Sequence, residues 1–153
     1  MIEKLDEIDI KLLRLLQENA RLTTKELSDK VNLSTTPVFE RVKRLEREGY
    51  IMKYVAILDP EKLNRGFTVF CSVKLVKLNR EIALNFTKTV KEIPQVSECY
   101  NISGEYDYLL KINVPNMKSY HELILNVLGR IENLGSISSM FVMEEIKNTL
   151  LPI

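Results

Sequence analysis

The chain has 153 residues, 45% of them hydrophobic and 28% charged, and a net charge of +1. That composition builds an apolar core and does not describe a disordered chain. No apolar run reaches the roughly 18 residues of a membrane span. Met1 to Asp9 is charged, so no signal peptide is expected, and the protein is expected in the cytoplasm.

The first third reads as helices. Asp6 is placed to cap a helix running to about Asn19, with Ile8, Leu12, Leu15 and Leu16 on one face. Thr23 caps a second helix, Glu26 completes a capping box, and Leu27 and Val31 face inward. After a short turn at Asn32 and Leu33, Ser34 caps a third helix, which Gly49 ends with a left-handed stop. Pro37 restricts the residue before it, which makes Thr36 the alternative cap. A hydrophobic staple precedes each helix: Leu5 with Ile10, Leu22 with Leu27, Leu33 with Val38.

From Phe67 the apolar period changes to two. Phe67, Val69, Cys71, Val73 and Leu75 share one face of a strand, with Phe70 and Val76 on the other beside Thr68, Ser72 and Lys74. Ile82, Phe86, Val90 and Ile93 mark a helix that Pro94 breaks. Val96–Ser103 and Tyr106–Val114 are strands around a turn at Gly104 and Glu105. Met117–Ile131 is helical, with Tyr120, Ile124, Val127 or Leu128, and Ile131 on one face. Ser138–Lys147 is the last strand. The order predicts a ferredoxin-like βαββαβ domain. Between the halves, Tyr54 to Leu58 alternates weakly and predicts a short hinge strand, ended by Asp59-Pro60. The fold class is therefore α+β: a three-helix, winged-type helix-turn-helix domain over 1–52, a hinge over 53–66 and a ferredoxin-like domain over 67–153. Two helices cover only one face of such a sheet. Phe70, Val76, Leu109 and Met143 are assigned to the other, where burial against a second copy would contribute roughly 1.5–3 kcal/mol each. A homodimer through this domain is expected.

The helix, short turn, helix spacing from Thr24 to about Lys43 is that of a DNA-reading motif. Residues 20–53 hold eight bases against five acids, whereas residues 1–19 hold three against five. Positive charge thus gathers where double-stranded DNA would lie. Val38, Val42 and Leu45 face the core of the third helix. Thr35, Thr36, Phe39, Glu40 and Lys43 are left outward. Ser34, Thr35 and Thr36 bring hydroxyls and N–H groups to a phosphate or base edge. Phe39 suits a thymine methyl, and Arg41, Lys43, Arg44 and Arg47 suit phosphates, with Arg41 or Lys43 a guanine reader. The structural alternatives are a capping role for Ser34, packing of Phe39 on the linker or Tyr50, and an ion pair from Arg41 to Asp29 or to the neighbours of Glu40.

Nothing in the sequence builds a catalytic site. Cys71 and Cys99 read as buried free thiols, and His121 is the single histidine. No zinc set, Ser-His-Asp or Cys-His arrangement follows from them, and there is no Gly-rich phosphate loop. Neither an enzyme nor a cofactor or metal is expected.

Three stretches carry a family resemblance: Leu5–Gln17, Leu33–Ile51, and Ser103–Lys111 followed by Val114-Pro-Asn-Met117 and Val142–Lys147. Together they resemble the Lrp/AsnC family of prokaryotic transcription regulators over essentially the whole chain. Thr35 departs from the pattern, standing where the family often has proline, and Ile153 is reached without a basic tail. The resemblance implies a DNA-binding head, a hinge strand and a ligand-sensing domain, in dimers that assemble into octamers on nucleoid DNA. It implies a palindromic operator and an amino-acid effector, leucine or another small one, bound at Ser103, Gly104, Glu105, Tyr106, Asp107 and Tyr108. Gly104 suits a close backbone approach there, and Asp107 suits a ligand ammonium. Taken alone, Gly104 is equally a hairpin glycine and Asp107 a turn or interface carboxylate. A ligand-independent protein that wraps DNA is the alternative function.

Overall fold

The computed structural model describes residues 5–77, 79–148 and 151–153; the charged Glu3 and Lys4 lie outside them. Two compact units result, Met1–Ile57 with Lys147–Ile153, and Leu58–Ile146.

The first unit, the head, has three helices: α1 (Glu7–Glu18), α2 (Thr24–Val31) and α3 (Thr35–Arg47). Asp6 and Thr23 cap α1 and α2 through reciprocal capping boxes with Asp9 and Glu26. Asn32 turns the chain from α2 towards α3 in the left-handed region (φ 56°), which asparagine tolerates better than most side chains. Gly49 (φ 80°) lies in the same region just past α3, where glycine carries no Cβ penalty. Leu12, Leu16, Leu27, Val31, Val38 and Leu45 form the core, and Leu5, Leu22 and Leu33 pack against it from the positions before the caps. Arg14 Nε donates to the Ile153 carbonyl (2.6 Å) and Gln17 Nε2 to the Leu151 carbonyl (2.9 Å), tying these last residues to α1.

The second unit, the sensor, runs β1 (Phe67–Leu75), α4 (Arg80–Lys91), β2 (Val96–Asn101), β3 (Tyr108–Val114), α5 (Met117–Asn126), a 3₁₀ turn (Leu128–Arg130) and β4 (Leu134–Phe141). Its sheet is antiparallel in the order β2-β3-β1-β4. Alternate residues Val69, Cys71, Val73 and Leu75 of β1, and Tyr108, Leu110, Ile112 and Val114 of β3, meet Phe86 and Val90 of α4 and Tyr120 and Leu123 of α5 in one core.

Several sequence expectations change. Cys71 is buried as expected but Cys99 is exposed, and the helix from Met117 ends at Asn126. The last strand starts four residues earlier than its alternation suggests and ends at Phe141, because β1 sets its length through pairs from Leu75–Leu134 to Val69–Phe141. Gly135, Ser136, Ser138 and Ser139 carry too little apolar character to reveal a strand. The hinge strand does not form among the described residues: Met52 to Asp59 has no ladder partner, and Met52, Val55, Ile57 and Leu58 are exposed. An extended segment without a partner gains no ladder bonds. On the uncovered sheet face Phe70 and Leu109 are present as expected, half-buried, but Val76 and Met143 lie beyond the strand ends. The register puts Tyr100 and Met140 there instead, opposite Leu109 and Phe70.

Candidate functional site

The outer surface of α3 begins with three exposed hydroxyl residues, Ser34, Thr35 and Thr36. Ser34 is the cap by its backbone, yet its side chain makes no capping bond to the helix. The first turn of α3 therefore keeps N–H groups that an acceptor can meet. Phe39 follows, 51% exposed. The Lys43 ammonium stands over its ring, 5.8 Å from the centroid.

Lys43 also pairs with Glu46 (2.8 Å), and Glu46 accepts from the Tyr54 hydroxyl (3.0 Å). Lys43 and then Tyr54 hold the Glu46 carboxyl below its usual range. Burial and Glu46 together push the Tyr54 phenol up to about 12. Phe39, Lys43, Glu46 and Tyr54 thus form one exposed stripe, an aromatic surface with a cation held at its edge.

Arg41 and Arg44 are placed differently from the expectation that they reach DNA phosphates. Both turn towards the N-terminus of α1. Arg41 Nη1 bonds Asp6 (2.6 Å) and Asp9 (2.8 Å), and Arg44 Nη2 bonds the second oxygen of Asp9 (2.5 Å). Asp9 is 1% exposed. The backbone N–H of Asp9 and the Arg41 guanidinium hold the Asp6 carboxyl below its usual range, and Asp9 and Asp6 raise Arg41 further. The partners of Arg41 are Asp6 and Asp9, not Asp29. One sequence signal points to it: Asp9 shares the spacing of Leu12 and Leu16, an acid at a core position of an amphipathic helix.

In the sensor, the loop joining β2 and β3 exposes Ser103, Gly104 and Glu105 and half-exposes Tyr106. Gly104 (φ 125°) holds a conformation that side-chain-bearing residues rarely adopt. Asp107 and Tyr108 are buried and do not line the loop surface: Tyr108 opens β3, and Asp107 is the loop residue just before it. Asp107 is 7% exposed, and its carboxylate accepts the Leu75 N–H (2.8 Å). Its N–H donates to the Val73 carbonyl, and its own carbonyl accepts from Ile102 N–H and Asn101 Nδ2. Tyr108 is 3% exposed and stacks on Phe86 with ring centroids 4.5 Å apart. Of the six residues expected at an effector site, four line the loop surface and two anchor it. A separate cleft of about 540 Å³, lined by Arg65, Gln95, Ser119, Glu122 and Asn126 among others, includes none of the six.

Known proteins share both units. Residues 5–52 match a family model of winged helix-turn-helix DNA-binding domains. Residues 68–152 match that of the Lrp/AsnC ligand binding domain. The DNA-binding transcriptional activator DecR of Escherichia coli (strain K12) is 42% identical over 150 residues, covering 97% of this chain and 99% of that protein. The leucine-responsive regulatory protein of Haemophilus influenzae is 41% identical over 145 residues, covering 95% and 87%. Among solved structures, a transcriptional regulator of Neisseria meningitidis in complex with L-methionine superposes with a TM-score of 0.93 at 38% identity, covering 97% of both chains.

Proposed function

From the premise that this chain belongs to the Lrp/AsnC family of transcription regulators, with a DNA-binding helix-turn-helix and an amino-acid-binding domain, we propose the following division of labour. The head reads a palindromic operator by laying α3 in the major groove. Ser34, Thr35 and Thr36 take a phosphate or base edge at the helix N-terminus, Phe39 meets a thymine methyl, and Lys43 leaves Glu46 for a backbone phosphate. The observation that carries this reading is the outer face of α3, where exposed hydroxyls, an exposed aromatic ring and a surface cation follow one another along a single helix.

The sensor takes a small amino acid at the loop of Ser103, Gly104, Glu105 and Tyr106, and Asp107 and Tyr108 fix that loop to the sheet. Four exposed loop residues do not enclose a ligand, so a second copy completes the site. Phe70, Tyr100, Leu109 and Met140 offer that copy an apolar sheet face, and the exposed segment Met52–Leu58 offers it a strand. We place the homodimer, assembling further to an octamer, in the cytoplasm on nucleoid DNA. The relative named as leucine-responsive and the neighbour solved with L-methionine make leucine and methionine the first to try.

The test is binding of the full chain to a labelled fragment of its own promoter region, titrated with each of the twenty amino acids. An effector that couples to the head shifts DNA affinity by about 5- to 150-fold. Tight binding that no amino acid alters overturns the effector reading in favour of a ligand-independent, DNA-wrapping protein.

A further inference from the structure

The sequence gathers Arg41, Lys43, Arg44 and Arg47 on the reading helix, and charge alone would put all four on phosphates. The structure divides them. Arg41 and Arg44 meet Asp6 and Asp9, and each guanidinium bonds at least one carboxylate. Asp9 is 1% exposed. One of its oxygens accepts from Arg41 and the other from both Arg44 and the Asp6 N–H. Asp6 in turn caps α1 through the Asp9 N–H (2.8 Å) and accepts from Arg41. The N-terminus of α1 thus grips α3 through two arginines three residues apart, adding charged, directional bonds to the apolar core the two helices share. Apolar packing alone lets a short helix roll or slide by fractions of an ångström. A carboxylate bound to both arginines fixes its rotation.

We infer that Asp9 is the positioning residue of the DNA-reading helix: through Arg41 and Arg44 it fixes the rotation at which α3 presents Thr35, Thr36 and Phe39, and those two arginines act through Asp9 and not through phosphate. This rests on the placement of α3 on DNA made above.

The experiment uses the full chain on two duplexes of equal length, one from its own promoter region and one of scrambled sequence. Affinity is measured across a salt series, at a temperature where circular dichroism shows each variant folded. Lys43→Ala is the reference for a lost phosphate contact, lowering the slope of log affinity against log salt by about 0.9 per head. Asp9→Asn, Arg41→Gln and Arg44→Gln are each expected to lower affinity for the promoter duplex by about tenfold. Their salt slope and their affinity for the scrambled duplex stay near wild type. Asp9→Asn combined with Arg44→Gln is expected to be no worse than the weaker single variant, since both break one contact.

Arg41→Lys and Arg44→Lys keep the charge and serve if Asp9→Asn does not fold. A lysine rescues a phosphate contact but does not reproduce the guanidinium's fixed geometry on carboxylates, so both are expected to bind the promoter duplex as poorly as the glutamine variants. The assignment is overturned if the glutamine variants lower the salt slope as Lys43→Ala does, if the lysine variants bind like wild type, or if Asp9→Asn weakens both duplexes equally. A wild-type chain that binds neither duplex overturns the placement of α3 on DNA itself, a result distinct from these.

Discussion

The head and the sensor keep their shapes by different means. Fifteen described side chains of the sensor are buried in one core between a four-stranded sheet and its helices, with the Asp107 carboxylate buried on the Leu75 N–H. The head has six such side chains and adds a charged cluster at the meeting of α1 and α3. A small core leaves relative helix positions loosely determined, and buried charge is directional in a way that methyl groups are not. A sheet is already fixed by its ladder, and the sensor's buried carboxylate, Asp107, takes a backbone N–H and the Lys74 ammonium where Asp9 takes two arginines. In the head, Arg41 and Arg44 of the third helix are engaged by carboxylates of the same unit.

Three changes sharpen or break this contrast, from the largest effect down. Phe86→Ala removes a fully buried ring packed on Tyr108 and is expected to destabilise the sensor by about 3–5 kcal/mol. In urea unfolding at fixed protein concentration, amide exchange should speed up throughout β1 and β3 while α1 to α3 keep their protection. Equal loss of protection in both units would show that they unfold as one and would end the comparison.

Asp107→Ala leaves the buried Leu75 N–H without its acceptor and is expected to cost about 1–3 kcal/mol. The same urea series measures it. A loss near zero would return Asp107 to the ligand and remove it from the sheet. The smallest effect concerns acid. The Asp6 carboxyl is lowered by the Asp9 N–H and Arg41, so its stabilisation is present above the ordinary aspartate range. That stabilisation fades as pH falls through the lower folded value. Half of the side chain is in water, which keeps the contribution small. Between pH 5 and 2.5, Asp6→Asn should flatten the loss of protection in α1. The sensor's own acid response, carried in part by Glu98 through Tyr100 and Lys111, should continue unchanged.

Much of the fold is legible residue by residue. Asp6, Thr23 and Ser34 sit at the caps their local patterns indicate, and the period-two run from Phe67 forms β1. The candidate DNA surface is legible for Ser34, Thr35, Thr36, Phe39 and Lys43, because helical spacing alone turns them away from Val38 and Leu45. It is not legible for Arg41 and Arg44. They flank the buried stripe, and long side chains at such positions can turn either way. The effector loop divides in the same manner: Gly104 declares its turn, whereas Asp107 and Tyr108 are polar residues that the sheet claims for bonding and packing.

The sequence by itself determined where each helix of the head starts and stops, which strands alternate, and which family the chain resembles, because these depend on residues a few positions apart. Only the tertiary structure decided the partner of each charge, the limits of β4, and the inward turn of Asp107 and Tyr108. Asp9 and Arg44 are 35 residues apart and Leu75 and Asp107 are 32. No local propensity reports on pairs at such separations; they form only when packing brings one element against another and removes the water that would otherwise satisfy both partners.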